Sequence, residues 1–115
     1  MGDAQLSTED RKLVTLARAT RARIGAAEGA AVRDADGRTY AGATVDLPSL
    51  RLSAVQVCVA MAVASGSTGL EAVVVLTEAV EPTATDLAAV SDFGGAGVTV
   101  HLGDHRGSIG STRRS

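Results

Sequence analysis

Few residues in this chain have the type and spacing to do chemistry. His101 and His105 are four apart, which is metal-ligand spacing on a helix. Here one falls in a strand-like run and the other in a Gly-rich stretch, so no metal site is expected from them, only two edge or exposed histidines. Cys58 is the single cysteine; it lies inside an apolar run and reads as a buried, reduced thiol rather than a nucleophile. Thr83 and Thr85 follow Pro82 at the start of a helical pattern, where a hydroxyl caps free backbone N–H groups. Asp46, two residues before Pro48, reads as a turn residue. The glycines are turn and cap residues, and no spaced Gly-rich phosphate loop is present. Arg11, Lys12, Arg18, Arg21 and Arg23 line one helix face, but no aromatics interleave to stack bases, so the face reads as solvated.

The elements that would hold these groups follow from hydrophobic period. Ser7 and Asp10 resemble a capping box ahead of Leu13, Leu16, Ala17 and Ile24, which share one face of a helix over residues 8–24. Two strand-like runs, 29–33 and 38–43, flank Asp34-Ala35-Asp36-Gly37, a hairpin signal. Residues 47–50 contain Pro and Ser and read as a loop. Residues 53–64 are apolar except mainly Gln56, which implies a helix covered on most sides. Ala72-Val73-Val74-Val75-Leu76 reads as a central strand buried on both faces. A helix over 83–93 and a strand over 98–102 follow. The expected order is α-β-β-α-β-α-β, a three-layer α-β-α sandwich with a mixed sheet. Residues 1–102 would form one domain and 103–115 a flexible tail.

Composition sets the outer limits. At 115 residues the length suits a single domain. Apolar residues make up 45% and aromatics 2%, so the core must be Ala, Val and Leu, with Tyr40 and Phe93 as its rings. Small side chains bury little area each, and a thin core favours subunit association. A net charge of -2 gives no general pull toward nucleic acid or membrane. No targeting signal or membrane span is read, and Met1-Gly2 fails as a myristoylation motif because position 6 is Leu. A cytoplasmic protein is expected.

Gly29-Ala30-Ala31-Val32, Asp36-Gly37-Arg38-Thr39-Tyr40-Ala41-Gly42 and Val45-Asp46, in this element order, resemble the small homotetrameric cytidine deaminases. The resemblance implies a zinc held by one Cys at the start of the second helix and two at the start of the third. A Glu two residues after the first Cys shuttles protons. In this chain the Cys-Ala-Glu pattern falls on Ala54-Val55-Gln56, and Pro-Cys-x-x-Cys on Pro82-Thr83-Ala84-Thr85-Asp86. The family's nucleoside-holding Asn-x-Glu falls on Thr44-Val45-Asp46. Its aromatic and serine before the first strand are replaced in Arg21-Ala22-Arg23-Ile24-Gly25.

Hydrolytic deamination needs a metal-bound hydroxide, since zinc lowers the pKa of water from roughly 15.7 to about 7. A catalytic zinc takes about three protein ligands. Ala54 has no lone pair, Thr83 offers a neutral hydroxyl, Asp86 one carboxylate, and the Gln56 amide does not titrate. The expectation is therefore a degenerate, catalytically inactive relative with no zinc and no other cofactor. It would act as an oligomeric interaction or scaffold protein, a dimer or tetramer. The alternative is a nucleoside, nucleotide or anion-binding module. It would use the vestigial pocket of Ala54, Gln56, Thr83, Thr85 and Asp86, where two helix N-termini converge, together with Thr44 and Asp46. An active cytidine deaminase with altered ligands ranks below both. Membrane binding is not expected, and a nucleic-acid partner ranks last.

Overall fold

A computed structural model describes residues 6–115; the Met1-Gly2 reading lies outside the described residues. Helix α1 (Thr8–Ile24) begins where the Ser7 hydroxyl accepts the Asp10 amide at 3.0 Å and ends at Gly25, whose φ of 63° suits glycine. Strands β1 (Gly29–Asp34) and β2 (Thr39–Ala43) form the expected antiparallel hairpin, with Gly37 at φ 88° in its turn. Helix α2 (Ala54–Ala64), strand β5 (Leu70–Leu76), helix α3 (Ala84–Gly94) and strand β6 (Thr99–Gly103) follow.

Two features differ from the sequence expectation. Residues 47–50 are the tip of a small hairpin, β3 (Val45–Leu47) with β4 (Leu50–Leu52). Both strands are largely exposed, so no buried stripe marks them. The stretch expected to fray from residue 103 instead carries β7 (Ile109–Arg114), antiparallel to β6. Only Ile109 of β7 is buried. Backbone pairing rather than side-chain burial holds this strand, and a polar Gly/Ser-rich sequence gives that no periodic signature.

The main sheet runs β2-β1-β5-β6-β7, with β5 and β6 parallel and the other neighbours antiparallel. On one face α1 sets Leu13 and Ala17 against Ala31, Ala72, Val74 and Leu76. On the other, α2 and α3 bring Ala54, Val55, Cys58 and Val90 onto Ala30, Val32, Val73, Val75 and Val100. Alternate residues of β5 thus serve both faces, which accounts for its unbroken β-branched run. The result is the three-layer sandwich. Tyr40 and Phe93 sit at the margin of the α2–α3 side.

Small residues let the layers approach closely. A Cβ at Gly29 would meet the Ala17 carbonyl oxygen and would lie 2.6 Å from the Arg21 Cβ. Gly29→Ala must therefore push α1 off the sheet. A stability loss of about 2 kcal/mol is expected, read by urea denaturation. A variant as stable as the parent would show that α1 is loosely seated. Among the described residues, no helix is long and apolar enough to cross a membrane.

Candidate functional site

The starts of α2 and α3 meet, and each is capped by its own sequence. Ser53 is the α2 N-cap: its hydroxyl accepts the Gln56 amide at 3.1 Å, while Gln56 Oε1 accepts the Ser53 amide at 2.9 Å. This reciprocal capping box is written in the sequence as Ser-x-x-Gln, a signal sufficient to find it. Thr83 caps α3 by accepting the Asp86 amide at 3.0 Å. Between the two helices, the Ser53 hydroxyl donates to Asp86 Oδ1 at 2.5 Å. Asp86 is 5% exposed and lies in the first turn of α3, beside the start of α2. Two positive helix ends favour a carboxylate there.

Ser53 is thus the residue that the resemblance did not single out. Ala54 is fully buried and presents only a methyl group. Gln56 is half-buried and its side-chain oxygen is engaged in the cap. Thr83 and Thr85 are exposed, and the Thr83 hydroxyl faces the α3 backbone. Ser53→Ala would remove a helix cap and leave the buried Asp86 without its hydroxyl partner. A loss of about 2–3 kcal/mol is expected, measured by chemical denaturation; a change below about 0.5 kcal/mol would show that the link holds little together.

Thr44 and Asp46 do not join these helix starts. The Thr44 hydroxyl accepts the Glu28 amide at 2.9 Å and so ties the end of β2 to the segment before β1. It also lines a cleft of ≈ 440 Å³ with Arg21, Glu28, Thr77, Glu78 and His105. Asp46 is exposed on β3 and pairs with Arg51 of β4 at 3.4 Å. A wider cleft of ≈ 610 Å³ opens where β5 and β6 end, lined by Glu78, Val80, Asp104, His105 and Arg106 among others.

The remaining candidates are placed as follows. Cys58 is buried, and burial pushes its thiol up to about 12. His101 is not an exposed edge residue: it is 5% exposed, because its β6 position points under α1. Its Nε2 lies 2.7 Å from Asp10 Oδ2 and its Nδ1 lies 2.8 Å from the Thr112 hydroxyl. Arg33 donates to Asp10 Oδ1 at 2.8 Å and also pairs with Glu71. Burial opposes ionisation of Asp10, yet hydrogen bonds from His101 and Arg33 hold its carboxyl below the usual carboxylate range. An ionised Asp10 only accepts, so a neutral His101 carries its proton on Nε2 and takes the Thr112 proton at Nδ1. His105 is far from this cluster in role: its Nε2 lies 3.0 Å from the Ala27 carbonyl.

The zinc that the resemblance implies finds a poor donor set at the helix starts. They offer a methyl group, hydroxyls facing backbone amides, and one carboxylate already bonded to Ser53. Among the described residues, no group of three or more His, Cys, Asp or Glu side chains is placed to hold a metal ion. A soft or borderline cation needs thiolate or imidazole ligands. The residues present do not fit that group.

Solved structures match this architecture over nearly the whole chain. The cytidine deaminase of Burkholderia pseudomallei superposes with a TM-score of 0.77 at 21% identity, covering 96% of this chain and 92% of that one. The enzyme of Mycobacterium leprae gives 0.74 at 20% identity over 94% of each chain. That of Mycobacterium tuberculosis gives 0.69 at 22% identity, covering 90% and 89%. At such identities the likeness speaks for the fold. No curated protein matches the sequence. The family description "Cytidine deaminase-like" matches residues 6–107, the span from α1 to the turn before β7, and on that match the chain belongs to the cytidine deaminase-like family.

Proposed function

We propose that the chain is a non-catalytic cytidine deaminase-like protein that acts by association with copies of itself. One observation carries the first half: the Ser53–Asp86 hydrogen bond, beside the Ala54 methyl, spans the two helix starts. Nothing there would generate a hydroxide at neutral pH, and the Gln56 amide neither takes nor gives a proton in that range. Amino-group hydrolysis has no nucleophile and no shuttle on these residues. The chain therefore keeps no zinc in this reading.

Association is supported by α2. The helix carries no charged residue, and Val63 near its end is 52% exposed. Leu47 and Leu50 expose a further apolar patch at the β3–β4 turn. Covering such surface in a dimer or tetramer would offset the thin Ala/Val core. A buried, reduced Cys58 suits a cytoplasmic setting.

The test combines three measurements on the purified protein: bound zinc, cytidine turnover and light-scattering mass. Zinc far below one per chain, no turnover and a multimer mass are expected. Turnover with stoichiometric zinc would overturn the non-catalytic half, and a monomer mass at micromolar concentration the associative half.

One observation favours a second reading, a small-ligand module for nucleosides, nucleotides or anions. Thr44 lines the ≈ 440 Å³ cleft together with Arg21 and His105. A thermal-shift series with these ligand classes separates the two readings. A ligand that binds the folded state raises the melting temperature by mass action, and no shift with any class would remove this one.

A further inference from the structure

His101 and Thr112 face each other across β6 and β7. The Ser115 amide donates to the Val98 carbonyl at 2.9 Å, which fixes the phase of the ladder. By alternation, Arg113 lies at a hydrogen-bonded pair and Thr112 at a non-hydrogen-bonded one, where facing side chains approach most closely. The same phase points the Thr112 N–H off the open edge of the sheet. Thr112 is exposed, while His101 is buried. Burial therefore does not force the hydroxyl onto the imidazole; strand register does.

Behind the imidazole the orientation is fixed. The Thr112 hydroxyl lies 2.8 Å from His101 Nδ1, and His101 Nε2 lies 2.7 Å from Asp10 Oδ2. Arg33 takes the other carboxylate oxygen, donating to Asp10 Oδ1 at 2.8 Å, and is itself paired with Glu71. Asp10 of α1 and Thr112 of β7 thus meet the ring directly, with Arg33 of β1 and Glu71 of β5 behind Asp10. A hydroxyl on a neutral imidazole, held in place by a carboxylate, is the arrangement that activates an alcohol for attack on a carbonyl. Its hydroxyl end is the end that reaches solvent.

We propose that Thr112 is an acyl-accepting nucleophile, with His101 as its general base and Asp10 as the positioning residue, and that it takes the acyl group of a small activated ester or thioester. The Thr112 Oγ1 attacks the acyl carbon while its proton passes to His101 Nδ1. The bond from that carbon to the leaving oxygen or sulfur breaks, and the leaving group takes the proton from His101. The products are an O-acyl threonine and a free alcohol or thiol. The outward Thr112 N–H is a donor for the charge that develops on the acyl oxygen. Thr112 stands on an open edge, so the donor is selected by its leaving group more than by its shape. This activity uses none of the residues at the helix starts and does not depend on self-association.

p-Nitrophenyl acetate tests this on the full chain. Acetylation is read by mass on the peptide bearing Thr112, with acetylation of the exposed Lys12 as internal reference. The parent is expected to carry acetyl on Thr112. Thr112→Ser, a less hindered alcohol, should label faster, and Thr112→Val should leave that peptide unmarked. In Asp10→Asn, Arg33 holds the amide oxygen, so the amide nitrogen turns to His101 Nε2 and the ring proton moves to Nδ1. That tautomer keeps the hydrogen bonds but cannot take the Thr112 proton. Thr112 labelling relative to Lys12 should then fall at least about tenfold. Circular dichroism checks that each variant is folded. In the parent, labelling should rise with pH and level off once the imidazole is neutral, whereas an unassisted hydroxyl would keep climbing with hydroxide. This profile decides the matter even if Asp10→Asn does not fold. A folded parent without acetyl on Thr112, a smaller fall in folded Asp10→Asn, or a rate that climbs without levelling would overturn the proposal.

Discussion

Asp34→Ala is expected to lose about 3–4 kcal/mol of folding stability, the largest effect of any single substitution here. Asp34 is fully buried at the end of β1. Its carboxylate accepts the Asp36 and Arg38 amides at 2.9 Å each, the Tyr40 hydroxyl at 3.1 Å, and the Ser67 hydroxyl. One side chain thus ties the β1–β2 turn to the segment between α2 and β5. Removing it leaves two amides and two hydroxyls inside the protein without that acceptor. Chemical denaturation measures the loss; a cost under about 1 kcal/mol would mean that water replaces the carboxylate at little cost.

The same group makes stability depend on pH. Burial opposes its ionisation, but the hydrogen bonds from Ser67, the Arg38 and Asp36 amides and Tyr40 outweigh burial and hold its carboxyl below the usual range. A carboxyl with a lowered folded-state pKa binds its proton more readily when unfolded. Its contribution is therefore complete above the unfolded value of about 4 and is lost as pH falls through the folded one. Asp10, whose carboxyl is also held below its usual range, acts in the same direction. Stability of the parent should fall more steeply below about pH 4 than that of Asp34→Ala, which has no carboxyl there to protonate.

Replacing Ala54, Thr83 and Asp86 together by cysteine is expected to create a zinc site at the helix starts, whose present residues fit zinc poorly. The three positions are the first residue of α2, the N-cap of α3 and a first-turn residue of α3. The Ser53–Asp86 bond brings the two helix starts within side-chain contact. Helix N-termini also lower thiol pKa values, which favours the thiolate that zinc requires. About one zinc per chain and a zinc-dependent rise in melting temperature should follow. Turnover should need Gln56→Glu as well, since the amide cannot relay a proton. Failure of the triple variant to hold zinc would mean that the ligand positions were assigned to the wrong residues.

Much of the fold was legible because it is written in burial. Leu13 and Ala17 repeat at helical spacing, and Val73 to Val75 form an unbroken run because both faces of β5 are covered. The Asp-Gly turn placed the hairpin. The missed strands, β3, β4 and β7, are mostly exposed and held by backbone bonds that no side-chain period records. At the helix starts, the resemblance pointed to Ala54, Gln56, Thr83 and Asp86, and these do gather there. The Ser53–Asp86 bond joins residues 33 apart, and the His101–Asp10 contact residues 91 apart. Long-range polar pairs of this kind depend on how layers stack, which local pattern does not encode.

A hydroxyl–carboxylate bond bridges the two helix mouths, and under the proposed function it stands where a catalytic cation would otherwise sit. Elemental analysis of untagged protein, purified without chelator and then exposed to excess zinc and desalted, tests it most directly. Retained zinc well below one per chain, with an unchanged melting temperature, is expected. One tightly held zinc per chain, released only by chelation and accompanied by a drop in melting temperature, would contradict it.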